Sequence, residues 1–427
     1  MKSGSAARPT PAKPASAADG GLQDPTRVVP VVAFGAQPGV LTTVEQTGFI
    51  AFDTGGRTLL VASERTPLLE VDMAREARAV RDGYAGRTAR ERAANVRRLC
   101  EAWHPDILVC DEMDFGALVA AEAVGIPYAS VVCIGTGSFV WPELVQEPLD
   151  DLRAEHGLPP DPALSMLRRY LILSPFPPSF RNPANPLPRN AHAIRAVTAD
   201  GAGDDADVSW LSSRASRPLV YFTLGTIFNL ESGDLFERTL AGLRELPVDV
   251  IVTVGRELNP EVLGPQPSNV HVRKYIPQSL LLPHCNLCVP HGGSGSVVGA
   301  LAHGVPMVLL PIGADQPLNA ARCVELQVAR VLNALEATPQ DVQCAVTAVL
   351  ADAAYTQNAK RLEAEIAALP GPEYCVRLLE RIAASISFTN RSNRPSYLNG
   401  SDAALAVRDE HRLVRGLPSS ANFLMSS

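Results

Sequence analysis

The stretch Leu287–His303, LCVPHGGSGSVVGALAH, constrains this chain more than any other. A short apolar run of strand length breaks into glycines and then enters a helix built of small residues. Glycine lets backbone approach a ligand closely, and the first turn of a helix leaves N–H groups unpaired at the positive end of its dipole. A strand, a glycine turn and a helix start in that order suit a phosphate or diphosphate. Ser294 and Ser296 add hydroxyl donors, and His291 can donate from its ring. Locally, an ordinary capped helix behind a tight turn would read the same way.

The rest of the chain supplies the setting. From Val28 onward, short apolar runs alternate with amphipathic segments, the pattern of a parallel sheet with helices on both faces. In the first half, strands are expected over Val28–Phe34, Ile107–Cys110 and Tyr128–Ile134, with helices over Arg87–Trp103 and Asp114–Val124. Residues 141 to 216 are rich in proline and read as irregular substrate-facing loops ending in a linker. A second series begins at Pro218, with strands Leu219–Leu224, Val248–Val254, His271–Ile276, Leu287–Pro290 and Met307–Leu310. Helices Gly233–Glu245, Ser294–His303, Gln316–Leu326, Pro339–Leu350, Tyr355–Ala368 and Pro372–Ala384 complete it.

At 427 residues the chain exceeds one ordinary core. The expected organisation is a leader over 1–27, a first domain over 28–207, a linker over 208–217, a second domain over 218–385 and a tail over 386–427. Leader and tail lose periodicity and read as disordered. Hydrophobic residues at 46% and charged residues at 19% are globular proportions, so both domains can bury a core. A net charge of −7 gives no electrostatic reason to expect a nucleic-acid partner. No apolar run approaches the roughly 20 residues of a membrane span. Eight scattered cysteines include one CxxC, Cys285 and Cys288, without a second pair to complete a metal site. No metal is expected, and the compartment reads as reducing and cytoplasmic.

From His271 to Cys323, and again over Val220–Thr226 (VYFTLGT), the sequence resembles the donor domain of family-one glycosyltransferases that act on antibiotics and other natural products. The likeness is to actinobacterial enzymes of the macrolide, erythromycin type, and it runs from about Arg217 to Ser385. It implies the GT-B fold, with two Rossmann-like doubly wound α/β domains facing across a cleft. It also implies roles for particular residues. Gly225 and Thr226 would lie beneath the donor diphosphate, and Ile276, Pro277 and Gln278 would wall the base. His291, Gly293, Ser294, Gly295 and Ser296 would bind the diphosphate, while Asp315 and Gln316 would hydrogen-bond the sugar. Asp315 also suits a helix N-cap, given Pro317 just beyond it.

The acceptor half departs from the family. Its usual base is a His on the loop after the first strand, yet no His precedes His104 here. Val28–Phe49 aligns by pattern with the family's second strand and the short segment after it, so the first strand-helix unit has no counterpart and an exposed edge or gap is expected in that sheet. Asp111 matches the Asp that normally orients the base, with Asp114 second because it could equally cap a helix. His104 and His192 read as solvent-facing or structural.

The expected activity is inverting transfer of a hexose or deoxyhexose from UDP- or TDP-sugar to a small, largely apolar natural product. The nucleotide sugar is a co-substrate, and no further cofactor is called for. Three readings of the missing His stay open: a working transferase with a substitute base, a truncated gene product, or an auxiliary nucleotide-sugar binding protein. A nucleotide-sugar epimerase fits the apolar region 141–190 less well. A Rossmann dehydrogenase lacks its G-x-G-x-x-G. A homodimer is left open.

Overall fold

A computed structural model describes residues 30–56, 65–137, 140–196, 211, 217–226 and 228–391. The expected leader, nearly all of the linker and the end of the expected tail lie outside the described residues.

In the second half, β7 (Leu219–Thr223), β8 (Asp249–Thr253), β9 (Val270–Arg273), β10 (Leu287–Pro290), β11 (Met307–Leu309) and β12 (Ala329–Val331) form one parallel sheet. Its order is β12-β11-β10-β7-β8-β9, so the chain winds outward in one direction from β7 and in the other from β10. Buried on both faces, such strands need continuous apolar runs, which is how β7 and β8 read. Two buried clusters cover the faces. One gathers Tyr221, Ile251, Met307 and Leu309, and the other Val220, Phe222, Val250 and Val252, as the alternation of side chains along a strand requires. The covering helices are α6 (Leu235–Arg244), α7 (Gln278–Leu281), α8 (Ser294–Leu301), α9 (Gln316–Glu325), α10 (Pro339–Ala351) and α11 (Ala353–Ala368).

The first half carries two parallel sheets instead of one. β1 (Ala33–Ala36) pairs with β2 (Ile50–Asp53) across α1 (Leu41–Gln46). A four-stranded sheet holds β3 (Leu108–Asp111), β4 (Tyr128–Val131), β5 (Leu171–Ser174) and β6 (Ala191–Ala193) in that order. Among the described residues β1 pairs only with β2, and β3 only with β4, so the sheet is broken where the sequence led us to expect an unfilled edge. Val109 on β3 is 39% exposed, unusual for an apolar residue of a parallel strand. One long helical run spans the break: α2 (Met73–Arg78), a π-helical stretch over Ala79–Thr88, and α3 (Ala89–Trp103). Asp114 caps α4 (Phe115–Val124), and Gly125 closes it with φ of 74°.

Several expectations need correction. Among the described residues the first strand is Ala33–Ala36, and Val31 and Val32 before it stand exposed at 58% and 49%; Val28 and Val29 of the strand expected over Val28–Phe34 lie outside the described residues. The strand expected to reach Ile134 ends at Val131, because the Glu112 carboxylate takes the N–H groups of Cys133 and Ile134 at 2.9 and 2.6 Å. Residues 141 to 216 are not simply loops. They contain α5 (Pro142–Glu155), β5 and β6, and the proline content hid α5, which starts on Pro142 and keeps Pro148 in its interior. The expected tail is helical in its first residues, as α12 runs from Pro372 to Arg391.

Contacts in both directions tie the halves together. Cys375 and Leu378 of α12 pack on Ala129, Leu171 and Leu173 of the first half, so this helix does not cover the second sheet, the series to which it was expected to belong. In the other direction, Thr66 exchanges backbone hydrogen bonds with the second half. Its N–H donates to Leu230 at 2.7 Å, and its carbonyl accepts from Gly233 at 3.0 Å. Arg65 pairs with Glu237 beside it.

Candidate active site

The strand order reverses between β7 and β10, and in open parallel sheets ligands bind in the crevice beyond the carboxyl ends at such a point. Gly225 follows β7 and His291 follows β10. The two residues meet: Gly225 has φ of 77°, and a Cβ on it would fall 2.5 Å from His291 Cε1. Gly293 makes room on the other side, where a Cβ would fall 2.6 Å from His291 Nε2. His291 is therefore gripped between two glycines, 8% exposed, with Nδ1 buried and unpartnered. Burial pushes its ring down to about 4, so it is neutral at pH 7.

Gly293 is the N-cap of α8, with Ser294, Gly295 and Ser296 as its first residues. Ser294 Oγ donates to Asp315 Oδ2 at 2.7 Å and accepts from Asn319 Nδ2 at 3.1 Å and from the Gly135 N–H of the first half at 3.2 Å. At Gly295 a Cβ would meet nothing within 4 Å, so this residue faces open space. Asp315 does occupy the N-cap position of α9, but its side chain makes no cap bond. It reaches instead to Ser294 and, at 2.8 Å, to Asn319, one helical turn on. Burial raises its carboxyl. Ala314, just before it, takes φ of 50°, a costly left-handed conformation for a residue with a Cβ.

Gln316 turns inward, its Oε1 accepting from Ile312 and Gly313 N–H at 2.7 and 3.2 Å. Thr226 is exposed, Ile276 and Pro277 are buried, and Gln278 Oε1 lies 3.1 Å from where a Cβ on Gly299 of α8 would stand.

Across from α8 stands the end of β3. Asp111 Oδ1 accepts from Met113 N–H at 2.7 Å. Asp111 is exposed at the strand end, with protein packed around it. Desolvation there, with the Asp114 carboxylate nearby, raises Asp111 to about 6. Asp114 is engaged otherwise: it pairs with Arg92, and its Oδ1 accepts from Ala117 N–H at 3.1 Å. Glu112 is raised to about 6, chiefly by desolvation. Burial pushes the Cys133 thiol well up, and the nearby Glu112, Asp111 and Asp315 carboxylates, from both halves, add to the rise.

The two histidines weighed in the first half lie elsewhere. His104 ends α3 in a left-handed turn with φ of 52°. His192 lies in β6, not in a loop, and its Nδ1 meets the Tyr374 hydroxyl of α12 at 2.9 Å. Cys285 and Cys288 form no disulfide. Sequence reasoning overlooked Asn319, whose spacing of four from Asp315 was the available signal, and Gly135, which had none.

Residues 237–382 match the family described as Erythromycin biosynthesis protein CIII-like, C-terminal domain. Demethyllactenocin mycarosyltransferase of Streptomyces fradiae is 34% identical over 172 residues, covering 40% of this chain and only 37% of that one. The 3-alpha-mycarosylerythronolide B desosaminyl transferase of Saccharopolyspora erythraea is 28% identical over 303 residues, 67% of this chain and 70% of that one. Among solved structures, spinosyn rhamnosyltransferase SpnG complexed with thymidine diphosphate superimposes with a TM-score of 0.63 at 26% identity, over 81% of this chain and 91% of that chain. Glycosyltransferase VinC in complex with DTDP gives the same TM-score, 0.63, at 22% identity, over 82% and 91%.

Proposed function

Since this chain belongs to the family-one GT-B glycosyltransferases of the actinobacterial natural-product group, we propose that it moves a hexose or deoxyhexose from UDP- or TDP-sugar to a small apolar acceptor, with inversion. The observation that carries this reading is the meeting of Gly225, His291 and the start of α8 at the switch point, opposite Asp111.

The diphosphate would lie over Gly295 and Ser296, where unpaired N–H groups and the helix dipole stabilise the charge that grows as it leaves. His291, neutral at pH 7, lends a ring N–H to that anion. Ile276, Pro277 and Gln278 would wall the base, with Thr226 under the phosphates and Gln316 shaping the loop that presents Asp315 to the sugar hydroxyls. Asp111 would take the proton of the acceptor hydroxyl as the C–O bond forms and the bond to the diphosphate breaks. A carboxylate near 6 is a better base than an ordinary one, and general-base help is worth about 10²–10⁴-fold. Asp114, held by Arg92, supports this end of β3. The site calls for no metal or resident cofactor.

One observation favours a second reading, a nucleotide-sugar binding protein with impaired transfer: no His stands before His104, and neither His104 nor His192 faces the cleft. Calorimetric titration with UDP and TDP, then turnover against phenolic and macrolide acceptors, separates the two. Binding with turnover, and a product of inverted anomeric configuration by NMR, supports the transferase. Binding without turnover on any acceptor supports the second reading, and absence of binding sinks both.

A further inference from the structure

Residues Ile134 to Gly137 follow β4 and reach the second half at Ser294, and each makes a different contact. The Ile134 N–H goes to Glu112 Oε1 at 2.6 Å, and the Gly135 N–H to Ser294 Oγ at 3.2 Å. The Thr136 carbonyl accepts from Asn182 N–H at 3.3 Å. Gly137, with φ of 69°, has Arg181 laid against it: a Cβ there would fall 1.7 Å from the guanidinium carbon. Only glycine allows that approach.

Arg181 has five N–H donors to satisfy. Nε donates to the Asn185 carbonyl at 2.7 Å, while Nη1 is buried without a partner. Burial lowers its pKa, and Glu112 is the carboxylate that offsets this, though among the described residues the two form no direct ion pair. An unpaired buried guanidinium N–H is costly, and a protein keeps one where something else completes it. Glu112 and Arg181 flank the same four-residue segment, which itself touches Ser294 of the proposed donor cradle. Phe176 and Phe180, 2.9 and 2.8 Å from where a Cβ on Gly135 would stand, join this segment to the donor half with apolar surface, in one buried cluster with Tyr221, Val297 and Val298.

We propose that Arg181 completes the cleft as an anion-binding residue, its partly exposed guanidinium receiving a ligand oxygen that carries negative charge. Two ligand groups offer that chemistry, the donor diphosphate and a carboxylate on the acceptor. The proposal rests on the donor-site reading above and adds a cation from the opposite half to it.

Calorimetry on the full chain tests it, with inorganic pyrophosphate, UDP and uridine as donor-side probes and 4-hydroxybenzoate against its methyl ester as acceptor-side probes. Charge-assisted hydrogen bonds predict a ten- to hundredfold loss of the anionic probe in Arg181→Gln, and a smaller loss in Arg181→Lys, which keeps the charge without the planar fork. Arg181→Lys also serves if the Gln variant fails to fold. Weakened pyrophosphate and UDP with unchanged uridine assign the anion to the diphosphate. Loss of a preference for 4-hydroxybenzoate over its ester assigns it to the acceptor. Unchanged affinities for every probe in a folded variant, or no anion preference in the unaltered chain, overturn the proposal. The donor-site reading fails separately, when the unaltered chain binds no UDP.

Discussion

Ser294 at the start of α8 donates to Asp315 at the start of α9 across 2.7 Å, joining the two helix ends that frame the crevice. Asn319 doubles the link, its amide reaching Ser294, Asp315 and the Gly292 carbonyl. Asp315→Asn keeps an acceptor for Ser294 and so leaves the cradle standing. We expect its UDP and TDP affinity to stay within about threefold, while transfer falls at least roughly tenfold from loss of a charged hydrogen bond to the sugar. Equal losses in binding and transfer would show that Asp315 serves the cradle alone. Ser294→Ala is expected to weaken both nucleotides about tenfold.

Gly225 and Gly295 should respond oppositely to a methyl group. Gly225→Ala imposes a left-handed φ and a clash with the His291 ring, together about 2–4 kcal/mol of stability, with nucleotide binding lost. Gly295→Ala meets nothing in the protein, so its melting midpoint should hold or rise slightly, yet UDP affinity should drop tenfold or more because the methyl takes ligand space. Thermal melts paired with calorimetry check both. A Gly295→Ala protein that binds UDP normally would move the diphosphate elsewhere.

Acid should act on two groups with opposite signs. His291 is depressed to about 4, so the stability its neutral ring permits is present above pH 6.5 and is lost as pH falls from 6.5 to 4, on the order of 3 kcal/mol for a buried ring. Asp111 is raised to about 6, so its favourable term is fully present below about pH 4 and is lost as pH rises from there through 6. Because Asp111 reaches solvent, screening cuts that term to on the order of 1 kcal/mol. The histidine wins, and denaturant midpoints should fall between pH 6.5 and 4. His291→Asn should remove most of that fall, and Asp111→Asn should stabilise the protein at pH 7 but not at pH 4.

As the proposed base, Asp111 would set the acid limb of activity. The limb of kcat/KM is expected near pH 6, and Asp111→Asn should lower turnover about 10²–10⁴-fold. A limb near 4 with little effect of the substitution would remove Asp111 as the base.

Arg92→Met leaves Asp114 buried without its cation and should cost about 3–5 kcal/mol in chemical denaturation. Asp114→Asn should cost less, because its side-chain oxygen still caps α4 through Ala117. If Asp114→Asn stops turnover as fully as Asp111→Asn, the two carboxylates share the proton work.

The sequence by itself determined the strands at the switch point of the second half: β7, β10 and the glycine turns after them are local patterns, since strand periodicity, glycine and a helix start are all written within a few residues. His291, Gly293, Ser294 and Gly295 were legible for the same reason. Tertiary structure alone decided what depends on residues far apart. That α12 returns to the first sheet, that Thr66 and Arg65 tie to Leu230, Gly233 and Glu237, and that Arg181 lies against Gly137 are contacts no local spacing encodes. The difference between Asp111 and Asp114 is of the same kind. Three positions apart in sequence, one is left open at a strand end and the other is paired by Arg92 from a neighbouring helix. Chemical character comes from residue type, but availability depends on which neighbours the fold brings within reach.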